Sequence, residues 1–334
     1  MRLLILGGTR FLGRATAQAA IAAGDEVVCA ARGKSGSAPD GCTFVTMDRS
    51  LPDAYDALRG DFDAVVDVSN RPSHVRAALA ALGDRVGHWV YVSSVSAYSD
   101  NATPGLTPAT GETHDPAPLD VDEDDLENFG PCKVAAERAV LDAVGADRAF
   151  ICRAGLIVGP EDSSGRFTYW PARIARGGSV IAPGTRSDPV QWVDVRDLAD
   201  WLVHAARERV SGIFDGMCEP VGRGDFLDEI VNTVGPAGTE LVWIDRQFLE
   251  QHEVNSWFGP RSLPMWLPVP EYAGMLCHDG GPARTAGLAC RDLADTVRST
   301  LAWQRATSPA LACGLTADEE ASILDSWRAA SSST

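Results

Sequence analysis

The first thirteen residues place the tightest constraint on what this chain can fold into. They begin with the apolar run Leu3-Leu4-Ile5-Leu6, which is typical of a buried strand and leads directly into Gly7-Gly8-Thr9-Arg10-Phe11-Leu12-Gly13. Gly7 permits a tight turn, and Gly13 lets the helix that follows approach the strand closely. The amide groups at the start of that helix favour a negative charge. A strand, a glycine turn and a helix in this order predict a βαβ unit that binds a pyrophosphate.

The rest of the first half alternates short apolar runs with helical patterns. The predicted strands are residues 2–6, 26–30, 63–68, 88–93 and 149–153, and the predicted helices are residues 11–23, 75–82 and 134–144. This alternation predicts right-handed crossovers and a parallel sheet with helices on both faces. We therefore expect an α/β fold, a doubly wound parallel sheet of the Rossmann type.

The alternation of apolar runs with helical patterns ends at about residue 160. Residues 190–193 resemble one more strand, and residues 195–206 a helix that returns to the large lobe. We expect a dinucleotide-binding domain over residues 1–160, joined by 190–215, and a smaller C-terminal α/β substrate lobe over 161–189 and 216–330. Within that lobe, residues 257–270 are rich in Pro and Trp and favour an ordered surface loop. Thr316 and Glu319 form a capping-box pattern that opens a last helix, and residues 331–334 are expected to fray.

Charge and hydropathy narrow the class of partner. The chain has 29 Lys and Arg against 46 Asp and Glu, so its formal net charge is −17. A surface this acidic repels phosphate backbones and anionic membranes, which argues against a nucleic-acid or membrane partner and favours a small-molecule substrate. The sequence has no apolar run of 18 residues and no secretory signal pattern, so we expect a cytoplasmic protein.

The cysteines are scattered singly along the chain. None of the eight forms a CxxC pair, and no histidine lies at a ligand-like spacing from one. We therefore expect reduced thiols and no metal site.

The segment after the second predicted strand bears on the choice between NAD and NADP. An NAD site needs an acidic residue there to accept the ribose hydroxyls, but this chain continues Ala31-Arg32-Gly33-Lys34-Ser35. Arg32 can hold a 2′-phosphate in a fork of hydrogen bonds, with help from Arg10 and Lys34. We therefore expect NADP(H) rather than NAD. Asp48, after the next short strand, is placed to contact the adenine amino group or to form a turn.

Four segments in this order resemble the extended short-chain dehydrogenase/reductase family, in its NAD(P)-dependent epimerase/dehydratase branch. They are GGTRFLG at 7–13, YVSSVSAY at 91–98, RAGLIVGP at 153–160 and QWVDVRD at 191–197. The resemblance covers almost the whole chain. It implies a cofactor site formed by Gly7, Thr9, Arg10, Phe11, Leu12, Gly13, Arg32, Lys34, Asp48, Ser69 and Lys133. It is also compatible with a homodimer, because relatives often dimerise through two helices of the large lobe.

The resemblance also implies a catalytic Ser/Thr, Tyr and Lys, with Tyr and Lys in a YxxxK pattern on one helical face. The matching residues are Ser94 and Lys133, but the tyrosine position is occupied by Phe129. A phenyl ring cannot transfer a proton, so the usual acid or base is absent from its usual place. Tyr98 is a further catalytic candidate, four residues after Ser94.

Several functions fit this departure. The first is an NADP(H)-dependent oxidoreductase acting on a small-molecule carbonyl or imine, in which Ser94 polarises the substrate and another group or water supplies the proton. An iminium ion needs less acid assistance because it already carries its charge. The second is a non-redox epimerase or dehydratase with bound cofactor. The third is a non-catalytic NADP-binding regulator or an RNA-associated protein, since the GGTRFLG opening also resembles that of chloroplast stem-loop-binding proteins.

The substrate side is less specific. Arg166, Tyr169 and Arg173 fall at helical spacing and predict a face that offers two cations and a phenol to an anionic or aromatic substrate, or else a surface helix. Arg186 precedes the QWVDVRD segment, where sugar-nucleotide members carry a phosphate-binding arginine. Trp243, Trp257 and Trp266 favour a largely apolar pocket in the C-terminal lobe.

Overall fold

The computed structural model describes residues 1–332 of the 334-residue chain. In chain order the strands are β1 (Arg2–Leu6), β2 (Glu26–Ala31), β3 (Thr43–Thr46), β4 (Phe62–Asp67), β5 (Val86–Ser94), β6 (Ala149–Ala154), β7 (Ile157–Val158), β8 (Ser179–Pro183), β9 (Pro189–Val190), β10 (Val193–Asp194), β11 (Gly212–Gly216), β12 (Val221–Gly222), β13 (Glu240–Ile244), β14 (Asn255–Trp257) and β15 (Ser262–Pro264). The helices are α1 (Phe11–Ala22), α2 (Pro72–Leu82), α3 (Phe129–Val144), α4 (Tyr169–Ile174), α5 (Val195–Glu208), α6 (Arg223–Val234), α7 (Arg246–Gln251), α8 (Gly281–Thr285), α9 (Leu293–Thr307) and α10 (Ala317–Ser331).

The large lobe is built on a seven-stranded sheet in the order β11-β6-β5-β4-β1-β2-β3, in which every pairing is parallel. Alternate side chains of β1 enter two different cores. Leu3 and Ile5 pack on one face of the sheet with residues of α1 and α5, and Leu4 and Leu6 pack on the other face with residues of α2 and α3. The sheet is therefore covered on both sides, and the predicted Rossmann-type fold is confirmed.

The chain forms part of the small lobe before it returns to the large lobe in the segment from α5 to β11. Helix α5 packs against α1, and β11 pairs in parallel with β6. The small lobe has its own apolar core, formed by residues such as Trp170, Phe226 and Trp266, together with the parallel pair β8 and β13. Within residues 1–332, no helix is both long and apolar enough to cross a membrane.

Two predictions of local structure outside the seven-stranded sheet are wrong. Residues 190–193 do not form one strand, because β9 pairs antiparallel with β12 whereas β10 pairs in parallel with β7. Residues 257–270 are not simply a surface loop, since β14 and β15 pair in parallel and residues 262–267 are buried. The Pro content masked the burial: Leu263, Met265 and Trp266 fill the core of the lobe, and the Trp170 indole donates a hydrogen bond to the Pro264 carbonyl at 2.9 Å.

The cysteine and C-terminal expectations also need correction. Cys218 and Cys290 form a disulfide between the end of β11 and the segment before α9, so not all eight thiols are reduced. These residues are 72 positions apart, and only the fold brings their Cα atoms to 6.0 Å. The capping box at Thr316 and Glu319 is confirmed at the start of α10. That helix ends at Ser331, the first residue of the tail predicted to fray, and residues 333–334 lie outside the described residues.

Candidate active site

A cleft of about 1420 Å³ opens where the central strands end, beside Leu6, Ala30 and Ser94. The small lobe supplies its opposite wall through residues such as Trp257 and Met275. This is the crevice in which open α/β sheets bind their ligands. The residues that the sequence predicts for the cofactor all line it: Gly7, Thr9, Arg10, Phe11, Leu12, Gly13, Arg32, Lys34, Asp48, Ser69 and Lys133.

The glycine turn at the floor of the cleft has the geometry of a phosphate cradle. Gly7 has a φ of +110°, which side-chain-bearing residues rarely adopt. A Cβ atom on Gly13 would lie 2.2 Å from the Gly7 carbonyl oxygen, so only glycine allows α1 to pack this closely on the turn. The first amides of α1 have no acceptor within the helix and can donate to an anion. The turn therefore fits the pyrophosphate of a dinucleotide.

One end of the cleft is cationic. Arg32 and Lys34 line it just after β2, and residues 31–35 contain no carboxylate. Asp48 lies near them and accepts hydrogen bonds from the Ser50 amide and hydroxyl, at 3.1 and 2.7 Å. Those bonds lower the pKa of Asp48, and the charges of Arg32 and Lys34 lower it further. Asp48 thus forms a turn at this end of the cleft, and its contact with adenine stays a prediction.

The other end of the cleft brings together Ser94, Phe129 and Lys133. Ser94 is the last residue of β5, and its hydroxyl oxygen accepts from the Ser96 amide at 3.1 Å. Phe129 is the first residue of α3, and Lys133 follows one turn later, with its Nζ 5.7 Å from the centroid of the Phe129 ring. The strand and the helix therefore place the three matched residues in one site.

Lys133 is held firmly in that site. Its Nζ donates hydrogen bonds to the carbonyl oxygens of Val92, at 2.8 Å, and Ser69, at 3.1 Å. Burial lowers the pKa of Lys133 to about 8, although the nearby carboxylates of Asp67 and Glu137 oppose this effect. An ammonium group with a pKa this close to neutrality can both carry a charge and exchange a proton.

Tyr98 does not belong to the site, and its assignment as a catalytic candidate is wrong. Its side chain is buried away from the cleft, and its hydroxyl donates to Asp215 at 2.8 Å. The Arg153 guanidinium lies 4.7 Å from the centroid of the Tyr98 ring. Burial and the Asp215 charge both raise the pKa of this phenol, so it is a poor source of protons.

The predicted substrate face is only partly present. Arg166 lines the cleft, with its guanidinium 4.8 Å from the centroid of a Trp257 ring, and burial lowers its pKa. Tyr169 and Arg173 do not line this cleft. Arg173 is buried instead and forms an ion pair with Glu320 in α10. The helical spacing was misleading because α4 begins only at Tyr169, so Arg166 lies outside the helix.

Several residues of the cleft escaped prediction. The small-lobe wall includes Phe258, Met275 and Leu276 as well as Trp257, and Asp162 lines the same region. The tryptophan-rich composition was the available signal, but it identified Trp257 alone, because Trp266 is buried in the core. Arg186 lies outside this cleft, paired with Asp228 and stacked on Trp243. The structure therefore offers no support for the sugar-nucleotide role considered for Arg186.

The chain is similar to several known proteins. The model of the NAD dependent epimerase/dehydratase family matches residues 3–214. The 2'-dehydrokanamycin reductase of Streptomyces kanamyceticus is 32% identical over 190 residues, which cover 54% of this chain and 51% of that protein. The match thus spans about half the length of that relative. Epimerase family protein SDR39U1 of Bos taurus is 28% identical over 239 residues, covering 65% of this chain and 74% of that protein.

Solved structures share the fold at lower identity. The UDP-Glc/GlcNAc 4-epimerase of Campylobacter jejuni has a TM-score of 0.66 and 16% identity, with 91% of this chain and 99% of that one covered. The Bordetella bronchiseptica enzyme WbmH, solved in complex with NAD+, has a TM-score of 0.62 and 18% identity, with 92% and 99% covered. At these identities the likeness concerns the fold alone.

Proposed function

The chain belongs to the NAD-dependent epimerase/dehydratase family, and from this premise we propose that it is an NADP(H)-dependent reductase of a small-molecule carbonyl or imine. The observation that carries the proposal is the single cleft that joins the glycine turn and Arg32 at one end to Ser94 and Lys133 at the other. A relative named as a reductase supports reduction over epimerisation. The resemblance implies that an epimerase would depend on the tyrosine that Phe129 replaces as well.

The residues present fit a phosphorylated nicotinamide dinucleotide. The Gly7–Gly13 turn would hold its pyrophosphate, and Arg32 with Arg10 and Lys34 would hold its 2′-phosphate. Lys133 would hold the nicotinamide ribose, as the family resemblance implies. When bound, the reduced cofactor would supply the hydride.

The protein's own groups would handle the charge that develops on the substrate oxygen. Ser94 would donate a hydrogen bond to the carbonyl oxygen and polarise it. The space in front of Phe129 lacks a phenolic hydroxyl, so a water molecule would deliver the proton there. Lys133 is the ionisable group of the matched triad. It would return a proton to the hydroxide that the water leaves behind, and would then take up a proton from solvent. An iminium substrate would need only the hydride, because it already carries a positive charge.

The small-lobe side of the cleft indicates which class of substrate would bind. Arg166 and Trp257 together present a cation and an aromatic face to the cleft. This pair suits a substrate with an anionic or aromatic part, since a guanidinium pairs with carboxylates and an indole stacks on planar groups. The apolar side chains of Phe258, Met275 and Leu276 would cover the remainder of such a molecule.

The direct test is turnover. The purified protein should oxidise NADPH when mixed with at least one member of a panel of aldehydes, ketones and cyclic imines, seen as a fall in NADPH absorbance. Product formation without net change in NADPH would favour a non-redox epimerase or dehydratase. Tight NADPH binding with no turnover of any compound would favour a regulator.

Replacing Arg32 should separate the two cofactors. In Arg32→Gln we expect the Kd for NADP+ to rise about 10- to 100-fold, because a charge-assisted bond to the 2′-phosphate contributes about 1.5–3 kcal/mol. The Kd for NAD+ should stay nearly constant, since NAD+ lacks that phosphate. Isothermal titration calorimetry measures both values. Arg59→Gln is the matched control, an exposed arginine outside the cleft. An equal loss of affinity for NADP+ and NAD+ would show that Arg32 does not contact the 2′-phosphate.

A further inference from the structure

A second cavity, of about 620 Å³, lies in the small lobe and shares no lining residue with the cleft. Its walls come from α4, from the end of α9 and from the loop that leads into α10. A volume of this size is in the range of small-molecule sites. Its occupant would therefore not compete directly with the cofactor or the substrate.

The charge of this cavity is opposite to that of the protein. Four arginines line it, Arg173, Arg176, Arg261 and Arg305, in a chain whose formal net charge is −17. Glu319 is the one carboxylate among the described lining residues. The two arginines without a carboxylate partner leave the cavity with a net positive charge, which an anion would neutralise.

Two of the arginines are already paired and two are available. Arg173 pairs with Glu320, and Arg261 lies 3.5 Å from Glu319. Arg176 and Arg305 are exposed at the cavity, and neither forms an ion pair or a side-chain hydrogen bond within residues 1–332. Their long side chains can therefore close on a ligand without breaking an existing contact.

A buried tyrosine forms part of the cavity wall. Tyr169 lines the cavity and is 4% exposed, yet its hydroxyl reaches hydrogen-bonding geometry with no described residue. The Leu315 amide lies close enough to lower its pKa, but burial dominates and raises that pKa. The hydroxyl oxygen is inaccessible to solvent, so it does not face the open space of the cavity, and the arginines alone would hold an anion there.

We propose that this cavity binds a small phosphorylated molecule, with Arg176 and Arg305 holding the phosphate. The planar guanidinium fork matches the oxygens of a phosphate and can bind two of them at once. The volume exceeds that of inorganic phosphate, so an organic part of the ligand would lie against the apolar residues Leu301, Leu311 and Leu315.

Calorimetric titration of the full-length protein with inorganic pyrophosphate tests the site. We expect saturable binding that weakens about 100-fold in the double variant Arg176→Gln/Arg305→Gln, or about 10-fold for each lost charge-assisted contact. Arg298→Gln is the matched control, because Arg298 lies on the same helix as Arg305 but outside the cavity. It should bind pyrophosphate as the wild type does.

Two further titrations test which site pyrophosphate occupies and whether that site selects phosphate over other anions. A titration with NADP+ present at saturation separates this site from the cofactor cleft, because NADP+ would occupy the Gly7–Gly13 turn and the pyrophosphate binding that the double variant loses should remain. Citrate, titrated in parallel, should bind more weakly than pyrophosphate if the site selects phosphate. The proposal is overturned if pyrophosphate does not bind, if the double variant binds it as tightly as the wild type, or if citrate binds more tightly. None of these measurements requires catalytic activity, so they stand apart from the test of the reductase.

Discussion

A tyrosine at position 129 is expected to raise the rate of carbonyl reduction by about two to four orders of magnitude, the usual contribution of a positioned proton donor. The structure supports this expectation because Ser94, Phe129 and Lys133 line the same cleft, and only the hydroxyl of the family's triad is missing. The Phe129→Tyr variant restores that hydroxyl one helical turn before Lys133. The measurement is kcat/KM for NADPH oxidation with a reactive aldehyde.

The control for this variant keeps the change in shape and omits the hydroxyl. Phe129→Leu should not gain activity, and Ser94→Ala in the Phe129→Tyr background should lose most of the gain. If Phe129→Tyr binds NADPH normally yet turns over no faster than the wild type, then the cleft has been adapted to chemistry that does not need a phenol. An iminium substrate would then be the more attractive alternative.

Removing the Lys133 ammonium should lower kcat/KM by about two to four orders of magnitude. In Lys133→Met, the cleft loses its proton-exchanging cation, and the Val92 carbonyl loses a donor that lies at 2.8 Å in the wild type. Because an unpaired buried acceptor costs about 1–3 kcal/mol, the melting temperature must be measured beside the activity.

The pH profile separates a proton role from a structural one. Reduction requires the protonated form of Lys133, whose pKa lies at about 8, so the wild-type rate should be constant below that pH and fall as the pH rises through it. The residual rate of Lys133→Met should lack this step. Lys34 is the other lysine of the sequence and lies at the opposite end of the cleft, so Lys34→Met should weaken NADP+ binding and retain the step at saturating cofactor. A wild-type rate that stays flat from pH 6 to 10 would contradict the role of Lys133.

The cofactor half of the site could be predicted because its determinants are close together in the sequence. Gly7 and Gly13 belong to one turn, and Arg32 directly follows the next strand, so a parallel sheet brings them to the same edge. Buried parallel strands are also nearly continuous apolar runs, which explains why the sequence predicts the bounds of five of the seven strands of the large sheet within two residues. The two edge strands, β3 and β11, are the exceptions. In this half of the chain, the apolar runs and glycines that can be seen in the sequence are the same residues that the parallel sheet buries or that its turns require.

The substrate half resisted prediction because its contacts join distant positions. Arg173 has the spacing of a substrate ligand, but its partner Glu320 is 147 residues further along. Tyr98 follows a catalytic motif, yet its hydroxyl donates a buried hydrogen bond to Asp215, which is 117 residues further along the chain. The disulfide between Cys218 and Cys290 likewise follows from the fold and from no spacing rule. Side-chain periodicity identifies a face of a helix, but it does not identify what covers that face.

The central claim is that the cleft binds a nicotinamide dinucleotide and prefers the phosphorylated form. Isothermal titration of the wild-type protein with NADPH and with NADH tests this claim directly, with melting temperatures recorded at saturating concentrations of each. We expect saturable binding of NADPH at one molecule per chain, with a lower Kd than that of NADH. No heat of binding and no shift in melting temperature with either cofactor would contradict the account.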